Sequence, residues 1–129
     1  MSKKILNTEK APSPIGPYNQ SVEANGFLFV SGQIPIVPET GELVKGPAAD
    51  QARQSLKNLG AILENAGLSF EDVVKTTVFL SDINDFASVN TVYGECFPSD
   101  TAPARSCVEV ANLPKGVAVE IEIIAALKK

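Results

Sequence analysis

Apolar and polar positions change period along this chain, and the changes mark its elements. Between Ala48 and Ala66, the residues Ala52, Leu56, Leu59, Ile62, Leu63 and Ala66 recur at three- and four-residue steps, while Gln51, Arg53, Lys57 and Glu64 lie off that stripe. The spacing predicts an amphipathic helix over 48–66, with Gly67 just past its end, where a left-handed backbone suits glycine. Gly60 inside the stripe marks close packing rather than a break. A second helix is predicted over about 85–97, with Phe86, Val89, Tyr93, Cys96 and Phe97 inward and Asp82 or Asn84 as its cap.

Elsewhere the pattern is that of strands. Turn formers Pro12, Pro14, Gly16 and Pro17 lead into a candidate strand from Tyr18 to Val22. Asn25-Gly26 is a hairpin signal, and 27–31 reads as the returning, buried strand. Val73 to Leu80 is rich in β-branched residues. Arg105 to Val110 and Ala118 to Leu127 supply the last two strands. Along the final one, Val119, Ile121, Ile123, Ala125 and Leu127 share a face suited to packing under helices, whereas Ala118, Glu120, Glu122, Ile124 and Ala126 form a mixed face. Two helices cover one face of a sheet of about five or six strands, so the other face is wet or meets another subunit.

Composition narrows the class. With 129 residues, 44% of them hydrophobic and 20% charged, the chain fits a single domain, 1–129, with enough apolar material for a core. A net charge of −4 disfavours nucleic acid and anionic membrane surfaces as partners. No run approaches the ~18 apolar residues of a membrane span. The stretch Met1 to Asn7 lacks a signal peptide's apolar segment, so the expected location is the cytoplasm.

The chain contains no histidine, which removes the commonest general base, the Ser-His and Cys-His nucleophile pairs and most zinc sites. Its two cysteines, Cys96 and Cys107, are too far apart in sequence for a Cys-x-x-Cys motif. Neither glycine-rich phosphate-binding signature occurs. Any chemistry falls to carboxylates, arginine, backbone amides and water, with no cofactor or metal expected.

Arg105, one of two arginines, opens a strand after a proline-containing loop, and its fork of donors suits a carboxylate. A surface ion pair is the ordinary alternative. Glu120 on an apolar strand is either solvated or held to activate water. Cys107 reads as a reactive thiol or, lacking a histidine, as a small buried hydrophobe. Tyr18 lines a pocket or serves as a core aromatic. Gly32 admits a ligand to its backbone N–H or simply turns the chain. Asn90, near the inward stripe of the second helix, lines a site or satisfies a backbone group.

These residues fall within a recognisable frame. The segments 16–21 (Gly-Pro-Tyr-Asn-Gln-Ser), 31–35 (Ser-Gly-Gln-Ile-Pro), 73–80, 84–86, 103–108 (Pro-Ala-Arg-Ser-Cys-Val) and 119–122 (Val-Glu-Ile-Glu) resemble the Rid family of reactive intermediate deaminases, its RidA branch in particular. The resemblance runs from about Ile5 to Leu127. It implies an α+β, chorismate-mutase-like fold: a mixed sheet with two helices packed on one face, the last strand inserted between the first and second core strands. It further implies a homotrimer in which the bare sheet faces meet and three clefts lie between subunits. The implied activity is hydrolytic deamination of 2-imino acids and their enamines (2-iminobutanoate, 2-iminopropanoate) to 2-keto acids and ammonia, without a cofactor. In that scheme Arg105 binds the substrate carboxylate and Glu120 activates water. The backbones of Cys107 and Gly32 orient the substrate, and Tyr18, Ser31 and Asn90 line the cleft. The same resemblance admits a keto-acid-binding regulatory trimer without turnover, a chaperone-like trimer or a ribonuclease. The acidic, histidine-free composition fits the ribonuclease worst.

Overall fold

Asn25 and Gly26 both adopt left-handed backbone, with φ of 52° and 85°. That is what a two-residue turn between right-twisting strands requires. The turn joins β2 (Ser21–Ala24) to β3 (Phe27–Gln33). A computed structural model describes residues 2–128 and adds β1 (Lys4–Leu6), α1 (Ala48–Asn65), β4 (Val73–Leu80), α2 (Phe86–Cys96), β5 (Ala104–Glu109) and β6 (Val119–Ala126).

The strands form one mixed sheet in the order β1-β2-β3-β6-β4-β5. Among the described residues only the β4–β5 pair is parallel, joined through α2; the other neighbours are antiparallel. The last strand therefore lies between β3 and β4, as the resemblance implied. Alternation along it is clean: Val119, Ile121, Ile123 and Ala125 are buried, whereas Glu120, Ile124 and Ala126 are half-buried and Glu122 is exposed. The buried row meets Leu56, Leu59, Ile62 and Leu63 of α1 and Val89, Val92 and Tyr93 of α2 in one core. Each fully buried aliphatic chain there contributes about 1.5–3 kcal/mol.

Helix α1 ends where the pattern placed its end. Gly67, at φ 75°, donates its N–H to the Glu64 carbonyl, and the Leu68 N–H reaches back to Leu63. Gly60 is a packing glycine, since a Cβ there would stand 3.3 Å from the Phe70 ring. The second helix starts slightly later than its pattern suggested. Asp82 accepts from the Asn84 N–H and caps a 3-10 turn over Ile83–Asp85, from which α2 continues.

Two expectations need correction, and one strand has no counterpart among the predicted elements. The predicted strand from Tyr18 starts only at Ser21, because Gln20 turns inward and its side-chain amide donates to the carbonyls of Thr8, Ala11 and Pro12. The short exposed strand β1 carries no hydrophobic pattern to announce it. Strand β3 is buried on one face only: Leu28 and Val30 are covered, but Phe27 and Phe29 are 41% and 45% exposed. Those rings share the helix-free face with half-buried Ile124 and with exposed Val108, so one chain leaves an apolar sheet face uncovered.

Candidate functional site

The sheet register sorts the candidate residues into two groups on opposite faces. On β5, Arg105, Cys107 and Glu109 stand opposite Thr76, Val78 and Leu80 of β4, all three buried beneath the helices. Directly paired residues project to the same side, so Arg105 and Cys107 lie on the helix side. Glu120 pairs with Phe79 and is flanked by buried Val119 and Ile121, which puts it on the uncovered side.

The first group forms around Arg105 at the β5 edge. Its Nη1 donates to Asn90 Oδ1 at 2.7 Å. Its guanidinium carbon lies 4.7 Å from the centroid of the Tyr93 ring and 5.5 Å from that of Phe86. Among the described residues, no carboxylate pairs with it. Asn90 is exposed, and its side-chain oxygen serves this arginine rather than a backbone group. The start of α2 is tied to β5 because Glu109 Oε1 accepts the Ile83 N–H at 2.9 Å. Cys107 is half-buried and packs against the core. Burial pushes its thiol pKa up against the lowering effect of Arg105, so the group remains a protonated thiol at neutral pH.

Phe86 and Tyr93, predicted on the inward stripe of α2, also flank the Arg105 guanidinium. A signal for them exists: positions 86, 90 and 93 follow i, i+4, i+7 spacing and share one face of α2.

The second group centres on Glu120. Its carboxyl-bearing chain lies directly over Gly32: a Cβ on Gly32 would overlap Glu120 Oε2 and stand 2.9 Å from Cδ. Gly32 sits where the β3–β6 register shifts, between Val30 and Gln33. Absence of a side chain at this point makes room for the carboxylate. Burial raises the Glu120 pKa above the usual carboxylate range, and the charge of Glu122 on the same face raises it further. Ser31 orders the adjoining segment, its N–H donating to the Gln20 carbonyl and its hydroxyl to the Asn19 carbonyl at 2.6 Å. Tyr18, next to Asn19, is half exposed, and its hydroxyl accepts the Ile15 N–H at 3.4 Å.

Arg105, Asn90 and Cys107 thus form one group, while Gly32, Glu120 and the Ser31–Tyr18 neighbourhood form the other. Within one chain they do not enclose a common pocket. A cavity of about 870 Å³ along α1 and α2, lined by Leu56, Gly60, Leu63, Phe70, Val92 and Cys96 among others, contains none of the candidate residues. Among the described residues, no cluster of three or more His, Cys, Asp or Glu side chains is arranged to hold a metal ion.

Comparison with known proteins places this geometry in a family. Residues 8–127 match the family model described as endoribonuclease L-PSP. A protein of Escherichia coli named 2-iminobutanoate/2-iminopropanoate deaminase is 58% identical over 127 residues, covering 97% of this chain and 98% of that one. The solved structure of E. coli TdcF with bound serine superposes with a TM-score of 0.90 at 51% identity, covering 97% and 99% of the two chains. A Rid-family protein of Yersinia pestis, YyfA, superposes with a TM-score of 0.95 at 49% identity, covering 98% of this chain and all of that one.

Proposed function

The chain belongs to the Rid family, and from that premise we propose that it hydrolyses 2-imino acids such as 2-iminobutanoate and 2-iminopropanoate to 2-keto acids and ammonia. The name of the 58%-identical E. coli relative supports this substrate class, and the serine-bound TdcF structure supports a ligand of amino-acid size carrying a carboxylate. Arg105 grips that carboxylate through the N–H groups its neutral partners leave open. The backbones of Cys107 and Gly32 orient the imine, while Tyr18, Ser31 and Asn90 form the walls.

Glu120 carries the reading. A carboxylate with a raised pKa accepts and returns a proton nearer neutrality than an ordinary glutamate does. Glu120 takes a proton from water as the oxygen adds to the imine carbon, and the C=N electron pair moves to nitrogen. The resulting carbinolamine collapses: its hydroxyl proton is removed, the C–O bond becomes C=O, and the amine leaves as ammonia after receiving the proton. Water attacks protonated imines unaided, so orientation supplies most of what is needed, up to about 7–11 kcal/mol in the best-aligned systems.

Because Arg105 and Glu120 project from opposite faces, one substrate meets both only when two copies contribute. The assembly we propose is a homotrimer built on the apolar face of Phe27, Phe29, Ile124 and Val108, with Arg105 of one subunit facing Glu120 of the next. A ribonuclease, as the family description reads, fits this chain poorly. The net charge is −4, and histidine, the usual acid–base group for phosphodiester cleavage, is absent.

The test couples the protein to a threonine dehydratase that releases 2-iminobutanoate in the presence of a scavenging amine. Diversion of the imine to 2-ketobutanoate supports the reading, and loss of that diversion in Arg105→Ala assigns the clamp. Keto-acid binding without any acceleration would instead make the protein a ligand-binding trimer.

A further inference from the structure

Arg105 owes its position to a buried polar pair that touches no substrate. The Tyr93 hydroxyl and Thr76 Oγ1 lie 2.8 Å apart with both groups buried, Thr76 on the central part of β4 and Tyr93 on α2. Tyr93 also packs against Phe97, with ring centroids 4.6 Å apart. Its ring is therefore fixed at its polar tip and along its side. The guanidinium of Arg105 rests 4.7 Å from that fixed centroid, and Thr76 is the residue directly opposite Arg105 in the sheet.

Among the described residues, every partner of the guanidinium is neutral. Asn90 supplies an amide oxygen, and Phe86 and Tyr93 supply ring faces. Burial raises the Tyr93 phenol above its ordinary value, against smaller lowering effects of the Thr76 hydrogen bond and Arg105. Tyr93 thus presents a ring face and not a phenolate. Such a cradle aligns the cation without neutralising it, whereas a carboxylate partner would compete with an anionic ligand.

We propose that Tyr93, locked by Thr76, is a positioning residue that sets the angle at which Arg105 meets the substrate carboxylate. The inference rests on the reading of Arg105 as the carboxylate clamp. The carboxylate is held alike in ground and transition states, so loosening the cradle raises KM more than it lowers kcat.

The experiment compares Tyr93→Leu, Tyr93→Phe and Thr76→Val with wild type in the imine assay and by calorimetric binding of 2-ketobutanoate, each alone and in an Arg105→Lys background. Tyr93→Leu is expected to weaken keto-acid binding about 2- to 30-fold, the range a cation–π contact spans, with KM rising in step and kcat falling less. Tyr93→Phe, which preserves the ring and guards against misfolding of the leucine variant, is expected to show a smaller shift of the same kind. Thr76→Val should match Tyr93→Phe, and neither should add to the other. In the Arg105→Lys background the tyrosine changes should have no further effect on affinity. If Arg105→Lys weakens binding while folded Tyr93 variants bind normally, or if they lose kcat at unchanged KM, the positioning role is overturned. If Arg105→Lys itself leaves keto-acid affinity intact, the clamp reading fails instead.

Discussion

Arg105 and Glu120 leave the same sheet in opposite directions, the arginine toward α2 and the glutamate toward the helix-free face. One strand, β4, lies between them, with Arg105 opposite its Thr76 and Glu120 opposite its Phe79. The sheet itself is the partition. Each chain therefore presents two dissimilar groups of candidate residues, and the cyclic assembly proposed above would bring unlike groups together at every contact.

Replacing Glu120 by Gln should abolish most imine hydrolysis while making the fold more stable at neutral pH. The folded chain holds the Glu120 proton more tightly than the unfolded chain does, so stability falls as pH rises from the ordinary glutamate range through the raised folded value. Above that window the carboxylate is a net cost, which glutamine removes. Thermal unfolding should show a higher Tm for Glu120→Gln at about pH 7 and a shrinking difference toward about pH 4, where both states are protonated. A variant equal to wild type in turnover would remove Glu120 from the chemistry.

Gly32→Ala should damage catalysis more than folding. The new methyl would occupy the space of the Glu120 carboxylate, which can swing aside because it ends a flexible side chain. Displacing a reacting group by about 1 Å can cost on the order of 100-fold in rate. Steady-state kinetics should therefore show a large fall in kcat with a Tm close to wild type. Full activity would mean that the carboxylate works from a different position.

Phe29→Glu tests the assembly. The ring is 45% exposed in one chain and has Val22 and Ile124 beside it on the uncovered face, so the substitution sits at the centre of the proposed contact. Sedimentation should show trimers for wild type and monomers for the variant at micromolar concentration, with circular dichroism unchanged. Trimers that survive the change would relocate the interface.

Much of the fold could be read from the chain because local and global signals agree there. The α1 stripe ends at a glycine with positive φ, Asn25-Gly26 makes its turn, and β6 alternates cleanly. Strand β1 escaped because it is short and exposed. Phe27 and Phe29 escaped because apolar residues on both faces of β3 look the same whether covered by helices or by another subunit. The candidate side chains were identifiable by type, but their division between two faces was not. It depends on pairing between β4, β5 and β6, which are distant in sequence. The aromatic cradle of Arg105 was hidden for a different reason: Tyr93 serves the core and the cation at once, and its inward spacing reports only the core.

The most direct measurement mixes two inactive proteins. Arg105→Ala and Glu120→Gln are each purified, combined, dissociated and allowed to reassociate, and imine hydrolysis is assayed. If Arg105 of one subunit works with Glu120 of the next, each mixed trimer holds one intact site, and an equal mixture should recover about a quarter of wild-type activity. A mixture as inactive as its components, with mixed trimers verified by mass, would contradict a site shared between subunits.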